Sequence, residues 1–138
     1  MKKRTVVAIA IAFAVPAAVA LAGCTSAGSS EDSPDNAVIW YDWDPNGPSL
    51  LAFLSTKLEL NDGCLMGEGG TFLAFPRGLG SWNANDETLT YGGKTYAVGD
   101  TIHTGGGGAS VPRDATVPDS CDVPSDGAVF LIQTTSLE

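Results

Sequence analysis

Apolar and polar residues alternate most clearly over residues 54–60. Leu54, Thr56, Leu58 and Leu60 fall on one face, and Ser55, Lys57 and Glu59 on the other. A period of two marks a half-buried strand. The register that exposes Lys57 and Glu59 is favoured, because burying unpaired charges is costly. Asn61-Asp62-Gly63 then predicts a hairpin turn, with Gly63 supplying positive φ. Cys64-Leu65-Met66 opens the return strand; residues 67–70 interrupt it, and residues 71–75 resume an apolar run that Pro76 stops. Residues 77–87 read as a loop carrying Trp82. Residues 88–91 and 94–98 flank Gly92-Gly93, a second hairpin signal. Gly99-Asp100 makes a turn, and residues 101–104 a short strand that the four glycines 105–108 break. A loop marked by Pro112, Pro118 and Pro124 leads to a last strand over residues 128–133. No stretch keeps a helical period. The pattern predicts an all-β fold, a small antiparallel barrel of about five strands, OB-like.

The first residues are patterned differently. Lys2, Lys3 and Arg4 precede an Ala/Val/Ile-rich run over residues 6–22, which ends in Leu21-Ala22-Gly23-Cys24. A basic start, an apolar middle and small residues before a cut describe a secretory signal peptide. The four residues ending in Cys resemble the bacterial lipobox. That resemblance implies cleavage before Cys24 and a thioether-linked diacylglycerol on its thiol. Two acyl chains, at about 0.8 kcal/mol per buried methylene, would anchor the chain stably. The expected organisation is a lipoprotein signal peptide over 1–23, a lipidated Cys24 with a flexible tether over 24–36, and a barrel domain over 37–138. The tether is Ser, Gly, Asp, Glu, Pro and Ala without a large apolar residue, too polar to bury anything.

Charge sharpens this picture. The 138 residues carry 16 acids against 7 bases, a formal net charge of −9. Cleavage before Cys24 would remove three of the bases and none of the acids. Such a field repels nucleic acid and anionic headgroups, so the expected anchor is the lipid and not a basic patch. The length allows one small domain and excludes a two-domain enzyme or a polytopic membrane protein.

Three cysteines are present. With Cys24 taken by lipid, Cys64 and Cys121 are left as a pair in an oxidising compartment, and their long separation has no Cys-x-x-Cys character. A bridge would staple the long loop to the sheet. Closing a loop of roughly sixty residues is worth about 4 kcal/mol in the chain-entropy account.

The order Leu58-x-Leu60-x-x-Gly63-Cys64-Leu65, Phe75-Pro76, Val98-Gly99-Asp100-x-Ile102-x-x-Gly105-Gly106-Gly107, then Cys121 before Val129-Phe130-Leu131-Ile132 resembles small secreted proteins and lipoproteins of actinobacteria. The resemblance spans residues 54–133. Its motifs are turn, core and disulfide residues, so it implies a fold and carries over no catalytic residue.

Candidate chemistry is sparse. Trp40, Tyr41 and Trp43 stand beside Asp42 and Asp44; aromatic faces with acids hold sugar rings or cations, and the same residues also serve as core and edge cover. If the segment is a strand, Trp40 points opposite Tyr41 and Trp43. Asp42-Trp43-Asp44-Pro45-Asn46-Gly47 matches the first half of a calcium loop, but the twelfth position is Phe53 where a Glu is required, so an acidic turn is expected. His103, the single histidine, has no nucleophile motif beside it. The four glycines lack the Lys and Ser/Thr of a phosphate loop. These readings predict no cofactor, no metal and no enzyme activity. The expected protein is a cell-membrane lipoprotein facing outside the cytoplasm, a binding module for an envelope saccharide, peptide or protein. The alternative is a small secreted hydrolase using paired carboxylates, Asp42/Asp44 or Asp86/Glu87.

Overall fold

A computed structural model of the protein describes residues 36–138. The expected signal peptide, Cys24 and the expected tether up to residue 35 lie outside the described residues. Every element among those described is a strand: β1 (Ile39–Tyr41), β2 (Ala52–Asn61), β3 (Cys64–Gly67), β4 (Thr71–Pro76), β5 (Gly80–Asn83), β6 (Thr88–Tyr91), β7 (Lys94–Ala97), β8 (Thr101–Ser110) and β9 (Ala128–Ile132).

Five of them close a barrel. The wall runs β4-β3-β2-β8-β9 and returns to β4. In chain order the barrel strands close as 1-2-3-5-4-1, the order of an OB barrel. Four joints are antiparallel. The closing joint, β4 to β9, is parallel, with Leu73 opposite Phe130 and Ala74 opposite Leu131. The barrel is therefore mixed, where alternation and turns alone suggested an antiparallel one. A parallel joint needs a long crossover, and residues 77–127 supply it.

The alternation of β2 is realised. Thr56 and Leu58 are buried, Ser55 and Lys57 are exposed, Glu59 is half-buried where exposure was expected, and Leu54 and Leu60 pack partly against the interior. Asp62 and Gly63, at φ 51° and 86°, make a two-residue turn between Asn61 and its partner Cys64. Positive φ at both central residues matches the twist of the flanking strands.

Three expectations change. Residues 67–70 do not interrupt one strand: Gly67 ends β3, and residues 68–70 turn it into β4, an antiparallel pair. Trp82 lies on β5, which pairs with β6 in a three-stranded meander, β5-β6-β7. Its Gly, Ser and Asn hid it, since they favour loops. The four glycines do not end a strand: β8 runs unbroken through them. Gly106 is needed there, because an added Cβ would sit 1.8 Å from the Leu131 carbonyl oxygen of β9.

Two cores result. Inside the barrel, Leu58, Leu65, Leu73, Phe75, Ile102 and Ile132 pack with Leu89, Tyr91 and Tyr96 of the meander. Outside the wall, Cys64, Met66, Ala74, Val129 and Leu131 pack with Ile39 and Tyr41 of β1, under Cys121 and Val111, Ala115, Val117 and Val123 of the loop between β8 and β9. A disulfide joins Cys64 to Cys121, with Cα atoms 4.9 Å apart, and ties that loop to the start of β3.

Candidate functional site

The aromatic cluster near the start of the fold is divided by β1. Ile39 and Tyr41 face the outer core; Trp40 faces the barrel interior, its ring 6.1 Å from that of Phe75. Both edges of β1 are paired. One runs parallel to β4, and Trp40 exchanges backbone hydrogen bonds of 3.1 and 2.8 Å with Thr116 on the other. The Tyr41 hydroxyl donates to the Ile132 carbonyl at 2.7 Å. Burial, then the charge of Asp114, pushes the Tyr41 phenol up to about 12. Trp40 and Tyr41 thus lock the wall.

The acids next to them are also engaged. Asp42 accepts from Arg77 Nε at 2.9 Å, and the same guanidinium donates to Thr116 Oγ1 and to the Asp114 carbonyl. Asp114 in turn accepts the Asp42 N–H at 2.6 Å. Asp44 Oδ1 accepts the Asn46 N–H, which caps a tight turn closed by Gly47 N–H on the Asp44 carbonyl. Asp86 accepts from the Asn83 amide at 2.9 Å. Among the described residues no three His, Cys, Asp or Glu side chains come together as a metal set.

Trp43 is the member of the cluster that reaches open space. It lines a groove of about 470 Å³ with Phe53, His103, Gln133 and Glu138. Phe53 and His103 stand on the outer faces of β2 and β8. Their rings stack 6.0 Å apart at 10° across the diagonal, two residues off direct opposition, because Phe53 pairs with Gly105 and Ser55 with His103. A side chain at Gly105 would press on Thr134, whose Cγ2 lies 3.2 Å from where its Cβ would sit.

The residues after β9 form the other wall. Gln133 N–H donates to the Gly105 carbonyl, and its side-chain oxygen accepts the Leu50 N–H at 2.6 Å. Thr134 and Thr104 share a hydroxyl hydrogen bond of 3.0 Å. His103 and Glu138 exchange backbone hydrogen bonds. Leu137 is buried in the interior, with its carbonyl held by the Tyr96 hydroxyl. The groove is thus a fixed surface of two stacked rings and an indole, rimmed by an amide, hydroxyls and one carboxylate.

Of the residues weighed for chemistry from sequence, Trp43, His103 and Gly105 line this groove. Phe53, Gln133 and Glu138 were missed, being separated along the chain by up to 85 positions. One signal was available for Phe53: extending the alternation of β2 by one residue puts an aromatic on the solvent face, with Ser55 and Lys57. No protein-family model, no curated protein and no solved structure matches the chain.

Proposed function

We propose that the protein is a non-enzymatic binding module, held at the outer face of the cell membrane by a lipid on Cys24, which takes an envelope component in the groove of Trp43, Phe53 and His103. The carrying observation is the exposed Phe53–His103 stack beside Trp43. Exposed ring faces rimmed by fixed hydrogen-bonding groups suit a ligand with apolar faces and polar edges, such as a sugar or peptide. The acids that the rival hydrolase requires do not line the groove: Asp42, Asp44 and Asp86 are held in structural hydrogen bonds, and Glu87 stands exposed in the turn before β6.

Intrinsic tryptophan fluorescence tests the reading. Cell-wall glycan and peptide fragments titrated into the protein should give a saturable change that Trp43→Ala abolishes and Trp82→Phe retains. A response that survives Trp43→Ala overturns the groove assignment. The anchor is tested separately: Cys24→Ala should leave the precursor uncleaved and without acyl mass. Normal processing of that variant refutes the lipid.

A further inference from the structure

The groove does not use the whole exposed part of β2. Leu58 N–H donates to the Asp100 carbonyl at 2.9 Å, so the even-numbered residues of β2 aim their backbone groups at β8. The odd-numbered residues Phe53, Ser55 and Lys57 aim theirs at the opposite side. There the Lys57 carbonyl accepts Glu68 N–H at 2.9 Å, and the pairing stops, because β3 reaches only residues 58–61 of β2. Among the described residues nothing bonds the N–H or C=O of Phe53 and Ser55 from that side. The first half of β2 is thus an open edge, with Leu51 93% and Phe53 73% exposed along it. It carries no proline and no bulge, the usual devices that blunt an edge.

We infer that this edge, over residues 51–55, docks an extended polypeptide segment of a partner protein that adds a strand beside β2. The inference rests on the reading of the protein as a binding module and names the class of its partner. Phe53 and Ser55 offer two donors and two acceptors at the spacing a strand matches, a mode that draws affinity from main-chain hydrogen bonds. Leu51, Phe53 and Ser55 share one face, so alternate side chains of the added strand meet Leu51 and Phe53 and must be apolar there. At the far end of the edge Lys57 and Glu68 both stand exposed and offset each other, so the charge preference comes from the whole chain, 16 acids against 7 bases. The complementary segment is therefore neutral to basic. The same charge opposes a second copy of this chain on the edge, since two acidic barrels would repel.

The test uses a synthetic seven-residue peptide alternating valine and lysine, and its twin N-methylated on the backbone amides of one edge. Amide exchange is followed by NMR on the whole protein. Exchange at Phe53 and Ser55 should slow by about tenfold or more with the first peptide and stay unchanged with the methylated twin, which keeps every side chain. Ser55→Pro removes one edge donor that no strand in the fold uses, so it should fold and lose the protection. Absence of protection, or equal protection by both peptides, overturns the proposal. So does protection of Phe53 that grows with protein concentration alone, which would put a second copy on the edge. Ser55 is not in the groove. Loss of peptide protection with the Trp43-dependent fluorescence response intact therefore sinks the edge alone, and the reverse pattern sinks the groove alone.

Discussion

The outer face of β3, β4 and β9 and the outer face of the first half of β2 are walls of one barrel, and both present apolar side chains. Met66, Ala74, Val129 and Leu131 on the first are covered by β1 and by the loop between β8 and β9. Leu51 and Phe53 on the second are uncovered. The difference lies in what the chain has to spare. The crossover required by the parallel joint returns past β3 and β4, and one disulfide fixes it there. Among the described residues no segment of similar length returns past β2. In OB barrels the second and third strands, here β3 and β4, commonly face the ligand. In this protein that face is filled by its own loop, and the open surface has moved to the first and fourth barrel strands.

The sharpest way to break the comparison is to remove a side chain from the covered face. Ile39 is fully buried between β1 and the outer wall. Ile39→Ala should cost about 2–5 kcal/mol, the range for a buried aliphatic residue. Denaturant unfolding measures it; a midpoint equal to wild type would mean that the loop face is no core. The double replacement Cys64→Ser, Cys121→Ser comes next, at about 2–4 kcal/mol. Its second readout is proteolysis within residues 111–127, which should speed up before the barrel unfolds. Unchanged cleavage would show that the loop holds without its staple.

The covered face was the more legible of the two. Cys64 and Cys121 announce a staple by elimination, and the alternation of β2 with Asp62-Gly63 fixes the first hairpin. Where sequence reading fell short, a local rule met a tertiary contact. Gly105 and Gly106 look like a strand breaker, yet β8 runs through them, and the close approach of Leu131 needs the space that Gly106 leaves. The parallel joint between β4 and β9 has no local signal at all, because its partners lie 57 positions apart (Leu73 and Phe130). The groove is illegible for the same reason: it exists only once residues 133–138 have folded back on β8.

A smaller effect tests how the covered face is locked from within. Tyr41 donates to the Ile132 carbonyl, so Tyr41→Phe should cost about 1 kcal/mol for the lost hydrogen bond. Its pKa is raised from 10.0 to about 12 by burial and then Asp114. The folded state thus holds the phenolic proton more tightly than the unfolded state. That contribution is complete below pH 10 and disappears as the pH rises through about 12. Burial raises Tyr91 and Tyr96 in the same direction. Stability should therefore fall steeply in alkali, and the slope should be shallower in Tyr41→Phe. An equal slope in both proteins would remove Tyr41 from the titration.

The smallest effect on stability belongs to Phe53, and it separates the two faces most cleanly. Its ring is 73% exposed and touches the fold through the His103 stack. Little apolar area leaves water when the barrel closes around it, so Phe53→Ser should move the unfolding midpoint by less than about 0.5 kcal/mol, as surface changes do. The backbone donor and acceptor of residue 53 survive the change, while the ring that lines the groove is gone. The tryptophan response to a groove ligand should therefore weaken without loss of fold. If Phe53→Ser instead destabilises the protein as much as Ile39→Ala does, the ring belongs to the core, and the contrast between a covered and an open wall collapses. A variant that is as stable as wild type and binds as well would leave the contrast standing but take Phe53 out of the site, with Trp43 as its remaining aromatic wall.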